Sequence, residues 1–267
     1  MQTIRQPAVA GYFYPDDPAE LSRMLDALLA EPHPSTSSQP GATPPKALIV
    51  PHAGYIYSGP IAATAYATLA PVRDQIHRVV LLGPSHRLPF AGLAASSAEV
   101  FATPLGPVPI DRVAVECALT LPQVHLLDAA HAQEHSLEVQ LPFLQRVFDD
   151  FSLVPLVVGD ATPESVAEVL ELLWGGPETL ILVSSDLTHY LDYRTARRID
   201  AATSEAIEAL RPESIGYDQA CGRAPLNGLL TLARRRGLKA ETLDLRNSGD
   251  TAGSSDQVVG YGAYVIH

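Results

Sequence analysis

Five short apolar runs, most of them separated by helical patterns, constrain the fold of this chain more than any other feature. The runs are rich in Val, Leu and Ile and occupy residues 47–50, 79–82, 153–158, 180–183 and 258–266. Apolar residues recur at helical spacing in segments 62–69, 113–119, 137–148, 163–174, 193–210 and 226–236. Strands that alternate with helices favour a mostly parallel sheet covered on both faces. We therefore predict an α/β fold.

The length of 267 residues suits one α/β domain over residues 1–267. Residues 32–45 are rich in Pro, Ser, Thr and Gly and show no periodicity. Because little chain precedes them, we interpret them as an exposed loop of the same domain rather than as a linker.

The formal net charge of −12 argues against a nucleic-acid partner, because phosphate binding needs a concentrated basic surface. No run approaches the roughly 20 apolar residues that a membrane helix requires, so no membrane partner is expected either. Two cysteines cannot form a disulfide framework, and the N-terminus lacks an export-signal pattern. We expect a soluble, cytoplasmic protein.

Three of the apolar runs lead directly into a segment that contains histidine. Residues 47–50 precede His52, residues 79–82 precede His86, and residues 180–183 precede His189. The carboxyl ends of parallel strands lie at one edge of the sheet, so these imidazoles meet if the strands are neighbours. Imidazole is the commonest metal ligand and titrates near neutral pH, which predicts metal binding, proton transfer or both.

Two further segments carry reactive side chains. In Gln133–Glu138, Glu134 could cap the following helix, while His135 and Glu138, three residues apart, could orient a metal-bound histidine. Cys221 lies just ahead of a predicted helix and near Arg223, an arrangement that we expect to lower the pKa of the thiol. A buried, inert cysteine is the alternative.

Taken together, five motifs closely resemble the Memo family, and they appear in family order along almost the whole chain. The motifs are Pro51-His-Ala-Gly-Tyr-Ile-Tyr-Ser-Gly59, Gly83-Pro-Ser-His86, Glu134-His-Ser-Leu-Glu138, Ser184-Ser-Asp186 with His189, and Cys221-Gly-Arg223. The resemblance implies the fold of the class III extradiol ring-cleavage dioxygenases (LigB-like), a three-layer α/β sandwich with a mostly parallel central sheet.

The resemblance also implies a site. Its metal ligands would be His52, His86 and Cys221, with the cysteine in place of the carboxylate of the dioxygenases. The resemblance implies that Asp186 and His189 face this pocket and are themselves the catalytic residues. His189 matches the acid/base histidine of the dioxygenases. Residues implied to support the ligands or to contact substrate are His135, Glu138, Arg87 and Tyr55. Arg87 replaces a frequent histidine, and it could bind an anionic substrate or point to solvent.

Several functions are compatible with such a site. The first is a metalloprotein that holds a divalent metal, with iron(II) expected and copper or zinc as alternatives, and that acts as an oxidoreductase on a small substrate or peptide ligand in the cleft. The second is a non-catalytic metal- or peptide-binding adaptor, or a partner of the radical-SAM-associated (AmmeMemoRadiSam) modification system. Hydrolysis by zinc ranks last, since no hydrolase signature is present. The sequence leaves open whether the protein is an enzyme.

Overall fold

The computed structural model describes residues 3–31 and 44–267. The helices are α1 (Pro18–Ala30), α2 (Tyr55–Ala67), α3 (Arg112–Ala118), α4 (Asp128–Ala132), α5 (Leu141–Val147), α6 (Pro163–Leu172), α7 (Tyr193–Glu208) and α8 (Arg223–Arg235). The strands are β1 (Ile4–Arg5), β2 (Ala47–Val50), β3 (Arg78–Pro84), β4 (Leu93–Ala95), β5 (Val100–Thr103), β6 (Gly106–Pro109), β7 (Val124–Leu126), β8 (Ser152–Val158), β9 (Thr179–Ser184), β10 (His189–Leu191), β11 (Ala240–Asn247) and β12 (Val258–Ile266).

The main sheet has nine strands, in the order β10-β12-β2-β9-β3-β8-β4-β7, with β11 paired to β12. Its centre is parallel, since β9 pairs in parallel with both β2 and β3, and β3 pairs in parallel with β8. Strands β2 and β9 are buried along their whole length, and β3 and β8 along all but their first residue. Strands covered on both faces have no polar side to display, which explains why they are continuous apolar runs in the sequence.

Helices cover this sheet. Helix α2 packs against β2 and β12 and is joined there by α1 and α5, whereas α8 packs against β3 and β9 and contacts α6. Helix α7 packs on β11 and β12. The predicted α/β three-layer sandwich is confirmed.

Three features of the fold differ from the sequence prediction. Strands β4 to β7 and β10 were not predicted, because each has only three or four residues, too few to show a hydrophobic period. Strand β12 runs antiparallel to β2 and β11, and β4 runs antiparallel to β8, so the sheet is mixed at both sides of its parallel centre. A separate three-stranded sheet, β1-β5-β6, ties the N-terminal segment to the domain.

Most of the predicted loop (residues 32–45) lies outside the described residues. Its last two residues are described: Pro44 is exposed and Pro45 is half-buried. Within the described ranges, no helix is both long and apolar enough to cross a membrane.

Candidate metal centre

The strand order brings two of the predicted histidines together. Strands β2 and β3 flank β9, so the loops that follow them, with His52 and His86, leave the sheet at the same edge. Strand β9 ends between them at Ser184, whose side-chain oxygen lies 2.9 Å from His52 Nδ1. This contact fixes the His52 ring and leaves Nε2 as the atom that can bind a ligand.

His135 completes a cluster with His52 and His86. Ligand atoms of the three residues all lie within 4.8 Å of one another, which is compatible with one shared metal ion. The His86 and His135 rings are stacked at 4.6 Å between centroids, and His52 meets both rings edge-on at 5.2 and 5.4 Å. The structure therefore places in the cluster itself a residue that the sequence suggested only as a supporting one.

Glu134 holds His86 in place. One carboxylate oxygen lies 2.8 Å from His86 Nδ1, and the other accepts the His86 backbone N–H at 2.6 Å. Although burial raises the pKa of Glu134, the hydrogen bond and charge of His86 bring it down to about 2. A carboxylate on the far nitrogen of a histidine is the usual partner of a metal ligand, because it fixes the tautomer and makes the ring more basic.

Cys221 lies next to His52. Its sulfur lies 3.4 Å from His52 Nε2 and accepts the Asp186 backbone N–H at 3.3 Å. Asp186 in turn accepts the His52 backbone N–H through Oδ1 at 2.7 Å. Asp186 thus connects the histidine loop after β2 to the cysteine ahead of α8.

The distance between His52 and Cys221 is compatible with a shared metal ion, although the group of ligand atoms that all lie within 4.8 Å of one another comprises His52, His86 and His135 and does not include Cys221. Zinc binds histidine nitrogen at about 2.0–2.1 Å and cysteine sulfur at about 2.3 Å, so a tetrahedral site separates the two ligand atoms by about 3.5 Å. The separation of His52 Nε2 and Cys221 Sγ, 3.4 Å, is close to this value. The same donor atoms suit iron and copper, so the identity of the metal does not follow from the geometry.

The protonation of the histidines favours metal binding. Burial lowers the pKa of His52 well below its ordinary value, and the neighbouring imidazoles His135 and His86 lower it further. Burial lowers the pKa of His135 to about 4, against an opposing effect of Glu134. Both rings are therefore neutral at pH 7, the form that coordinates metals.

The expected lowering of the Cys221 pKa is wrong. Burial raises the pKa of the thiol, and the nearby Asp186 carboxylate raises it further. A metal ion bound there would have to displace the thiol proton. The helix dipole and Arg223, on which the expectation was based, do not outweigh the loss of hydration.

The other predicted site residues have varied surroundings. His189 is exposed, with Nδ1 2.9 Å from the Leu187 carbonyl oxygen, and Arg87 is exposed in the loop that carries His86. Tyr55 is buried and donates its hydroxyl proton to the Val139 carbonyl at 2.7 Å.

Glu138 is directed away from the cluster. It accepts the Ala8 and Val9 backbone N–H groups and the Tyr14 hydroxyl, and it forms an ion pair with Arg5. Of the two glutamates in this segment, Glu134 orients a cluster histidine and Glu138 does not. The sequence contains both residues, but the signal that separates them, contact with residues 5–14, is long-range and was not visible there.

Known proteins resemble this chain over nearly its whole length. A family model described as Memo-like protein matches residues 5–265. A MEMO1 family protein of Methanosarcina barkeri is 37% identical over 277 residues, covering 98% of this chain and 100% of that protein. A MEMO1 family protein of Aquifex aeolicus is 37% identical over 274 residues, covering 97% of each chain.

Among solved structures, an uncharacterized protein from Escherichia coli K12 matches with a TM-score of 0.53 and 13% identity, covering 80% of this chain and 98% of that one. At this identity, the likeness shows a shared fold alone.

Proposed function

Since the chain belongs to the Memo family, with a family model matched over residues 5–265, we propose that it binds one redox-active divalent metal ion, iron(II) in the first place, through His52, His86 and Cys221. The observation that carries the proposal is the position of His52 Nε2, 3.4 Å from the Cys221 sulfur while Nδ1 is held by Ser184. The ligand atom of His135 lies within 4.8 Å of those of His52 and His86, which makes His135 the candidate fourth ligand.

The surrounding residues support a site that stays open on one side. His52 is buried, whereas the His86 side chain is 28% exposed, so a small molecule can approach from the His86 side. Iron bound by three protein ligands would supply redox chemistry at the remaining positions. His189, exposed at this edge of the sheet, is the side chain that we propose to accept or deliver a proton.

The metal proposal is tested on full-length protein prepared without oxygen. Cys221→Ser should weaken iron(II) and copper(I) binding by more than about 100-fold, because a hydroxyl is a far poorer ligand than a thiolate for soft metals. Cys117→Ser is the matched control, since Cys117 is exposed on α3, a helix that packs against α6 and β8. Equal metal affinities in the two variants would overturn the assignment of Cys221.

His135→Asn determines the number of ligands. A further loss of affinity with a changed absorption spectrum of the cobalt(II)-substituted protein would make His135 a ligand. An unchanged spectrum would leave three protein ligands.

Whether the protein is an enzyme is tested by oxygen uptake with a panel of catechols. Uptake that depends on the bound iron and is lost in His189→Ala, while the metal is retained, supports an oxidoreductase. Metal binding without turnover favours the second candidate, a metal- or peptide-binding partner protein. The replacement of a carboxylate ligand by the oxidisable Cys221 thiolate favours that candidate.

A further inference from the structure

A cavity of about 600 Å³ opens beside the proposed metal site, with Cys221 in its lining. One part of the lining comes from the end of β3 and the loop after it (residues 84, 85 and 88–91) and from the end of β8 and the segment after it (residues 158–161), and the two segments pair through Ala91 and Asp160. The other part comprises Tyr217, Cys221 and the first two residues of α8, Arg223 and Ala224. The space is large enough for a small organic ligand.

Arg223 is an unusual cation. It is the first residue of α8, where the helix dipole disfavours positive charge. It has no ion pair in the part of the chain that the structure describes, although the protein has 30 acidic residues and 18 Lys and Arg. By contrast, Arg234 and Arg236, at the other end of α8, both pair with glutamates.

The Arg223 guanidinium lies over the ring of Tyr217, whose centroid is 5.2 Å from the guanidinium carbon. An arginine that stacks on an aromatic ring keeps its N–H groups free to bind a carboxylate through two hydrogen bonds. Its half-buried position at the cavity reduces the screening of its charge by water. Arg87, the cation that the sequence suggested for an anion, does not line this cavity.

Asp160 supplies the opposite charge in the cavity lining. It is exposed and, within the described residues, forms no ion pair with Arg223 or with any other cation. The same lining includes the apolar side chains of Leu88, Phe90 and Ala161. A ligand that places one anionic group on Arg223 would therefore lie among apolar side chains, and the Asp160 carboxylate would repel a second negative charge in the cavity.

We propose that this cavity binds a small organic acid with one carboxylate and an apolar or aromatic body, with Arg223 as the anion-binding residue and Asp160 as the residue that excludes dianions. The inference deepens the proposed function, because Cys221 borders both the metal site and the cavity. It concerns binding by side chains of this chain alone, so it can be tested with and without metal.

The test measures binding of benzoate, benzyl alcohol and terephthalate to the full chain by ligand-observed NMR, metal-free and loaded with zinc. Benzoate should bind at least about tenfold more tightly than benzyl alcohol, since a charge-assisted bidentate contact replaces a neutral one. Terephthalate should bind more weakly than benzoate. Arg223→Gln should abolish the preference for benzoate, and Asp160→Asn should strengthen terephthalate binding.

Arg235→Gln is the matched control, because Arg235 is exposed at the far end of the same helix. Arg223→Lys checks folding, since it retains the charge and should keep part of the benzoate preference. Equal binding of benzoate and benzyl alcohol, no binding of benzoate, or equal effects of the Arg223→Gln and Arg235→Gln changes would overturn the proposal. Failure of the metal proposal would appear separately, as loss of metal binding by a protein that still prefers benzoate.

Discussion

Glu134 and Glu138 are four residues apart and almost fully buried, yet they serve different regions of the molecule. Glu134 binds the backbone and ring of His86 and accepts the backbone N–H groups of His135 and Ser136. Glu138 binds the N-terminal segment, through Arg5, the Ala8 and Val9 amides and the Tyr14 hydroxyl. We call the first group the site network and the second the N-terminal clamp.

The difference teaches that burial alone does not reveal the purpose of a carboxylate. Both side chains lose their hydration, and both recover the loss through several hydrogen bonds. In the site network, the bonds fix the orientation of a ring that can bind metal. In the clamp, they fix a chain segment, and that segment places Phe13 against His135 at 4.9 Å between ring centroids.

The largest expected effect is in the clamp. Glu138→Ala should destabilise the protein by about 3–5 kcal/mol, because it leaves the buried Arg5 guanidinium without its counter-charge. The free energy of unfolding from urea titration measures the change. Metal affinity of the molecules that remain folded should fall little compared with that of Glu134 variants.

Arg146→Ala is the control for this prediction, because the Arg146–Asp26 pair is largely exposed and should contribute less than about 1 kcal/mol. A loss of stability in Glu138→Ala no larger than in Arg146→Ala would show that the clamp is not a main support of the fold.

The second prediction concerns the acid sensitivity of the clamp. The backbone carbonyl of His131 accepts a hydrogen bond from Arg5 Nε. The His131 ring is buried, and its Nδ1 has no hydrogen-bond partner among the described residues. Burial lowers the pKa of His131 to about 4. In the unfolded chain the pKa of this histidine is near 6.5, so as the pH falls His131 takes up a proton in the unfolded chain before it does so in the folded protein. The free energy of unfolding therefore keeps the full contribution of neutral His131 above about pH 6.5. It loses about 3 kcal/mol as the pH falls from there to about 4.

Unfolding free energies of wild type and His131→Asn, measured from pH 7.5 to 4, test this effect. The variant should show a shallower decline, whereas His125→Asn, at an exposed histidine, should follow the wild type. Parallel curves for wild type and His131→Asn would contradict the assignment.

The third prediction concerns the site network. Glu134→Gln should lower metal affinity by about 10–100-fold, because an amide orients and polarises His86 less well than a carboxylate. Glu138→Gln, measured in the same titration, gives the matched comparison. If Glu138→Gln lowered metal affinity as much as Glu134→Gln, the division into two networks would fail.

The comparison also shows how far the sequence alone can be interpreted. Strands β2, β3 and β9 are continuous apolar runs, so the sheet and the edge at which His52 and His86 meet were predictable from local pattern. The different partners of Glu134 and Glu138 were not, because Arg5 is 133 residues from Glu138. The predicted direction of the Cys221 pKa shift was wrong for the same reason, since the burial that raises this pKa depends on packing between distant segments.

The smallest expected effect lies in the backbone. Both regions contain a residue in the left-handed backbone conformation. In the N-terminal clamp it is Gly11, with φ of 79°, and next to His189 it is Tyr190, with φ of 57°. A side chain in this conformation costs about 1–2 kcal/mol, and asparagine tolerates it better than most residues. Tyr190 is 69% exposed, so little packing offsets that cost. Tyr190→Asn should therefore raise the free energy of unfolding by about 0.5–1 kcal/mol, whereas Tyr12→Asn, at an exposed tyrosine with ordinary φ, should leave it unchanged. A lower free energy of unfolding in Tyr190→Asn would mean that contacts of the Tyr190 ring outweigh the backbone strain at this position. Backbone strain would then no longer distinguish the site from the clamp.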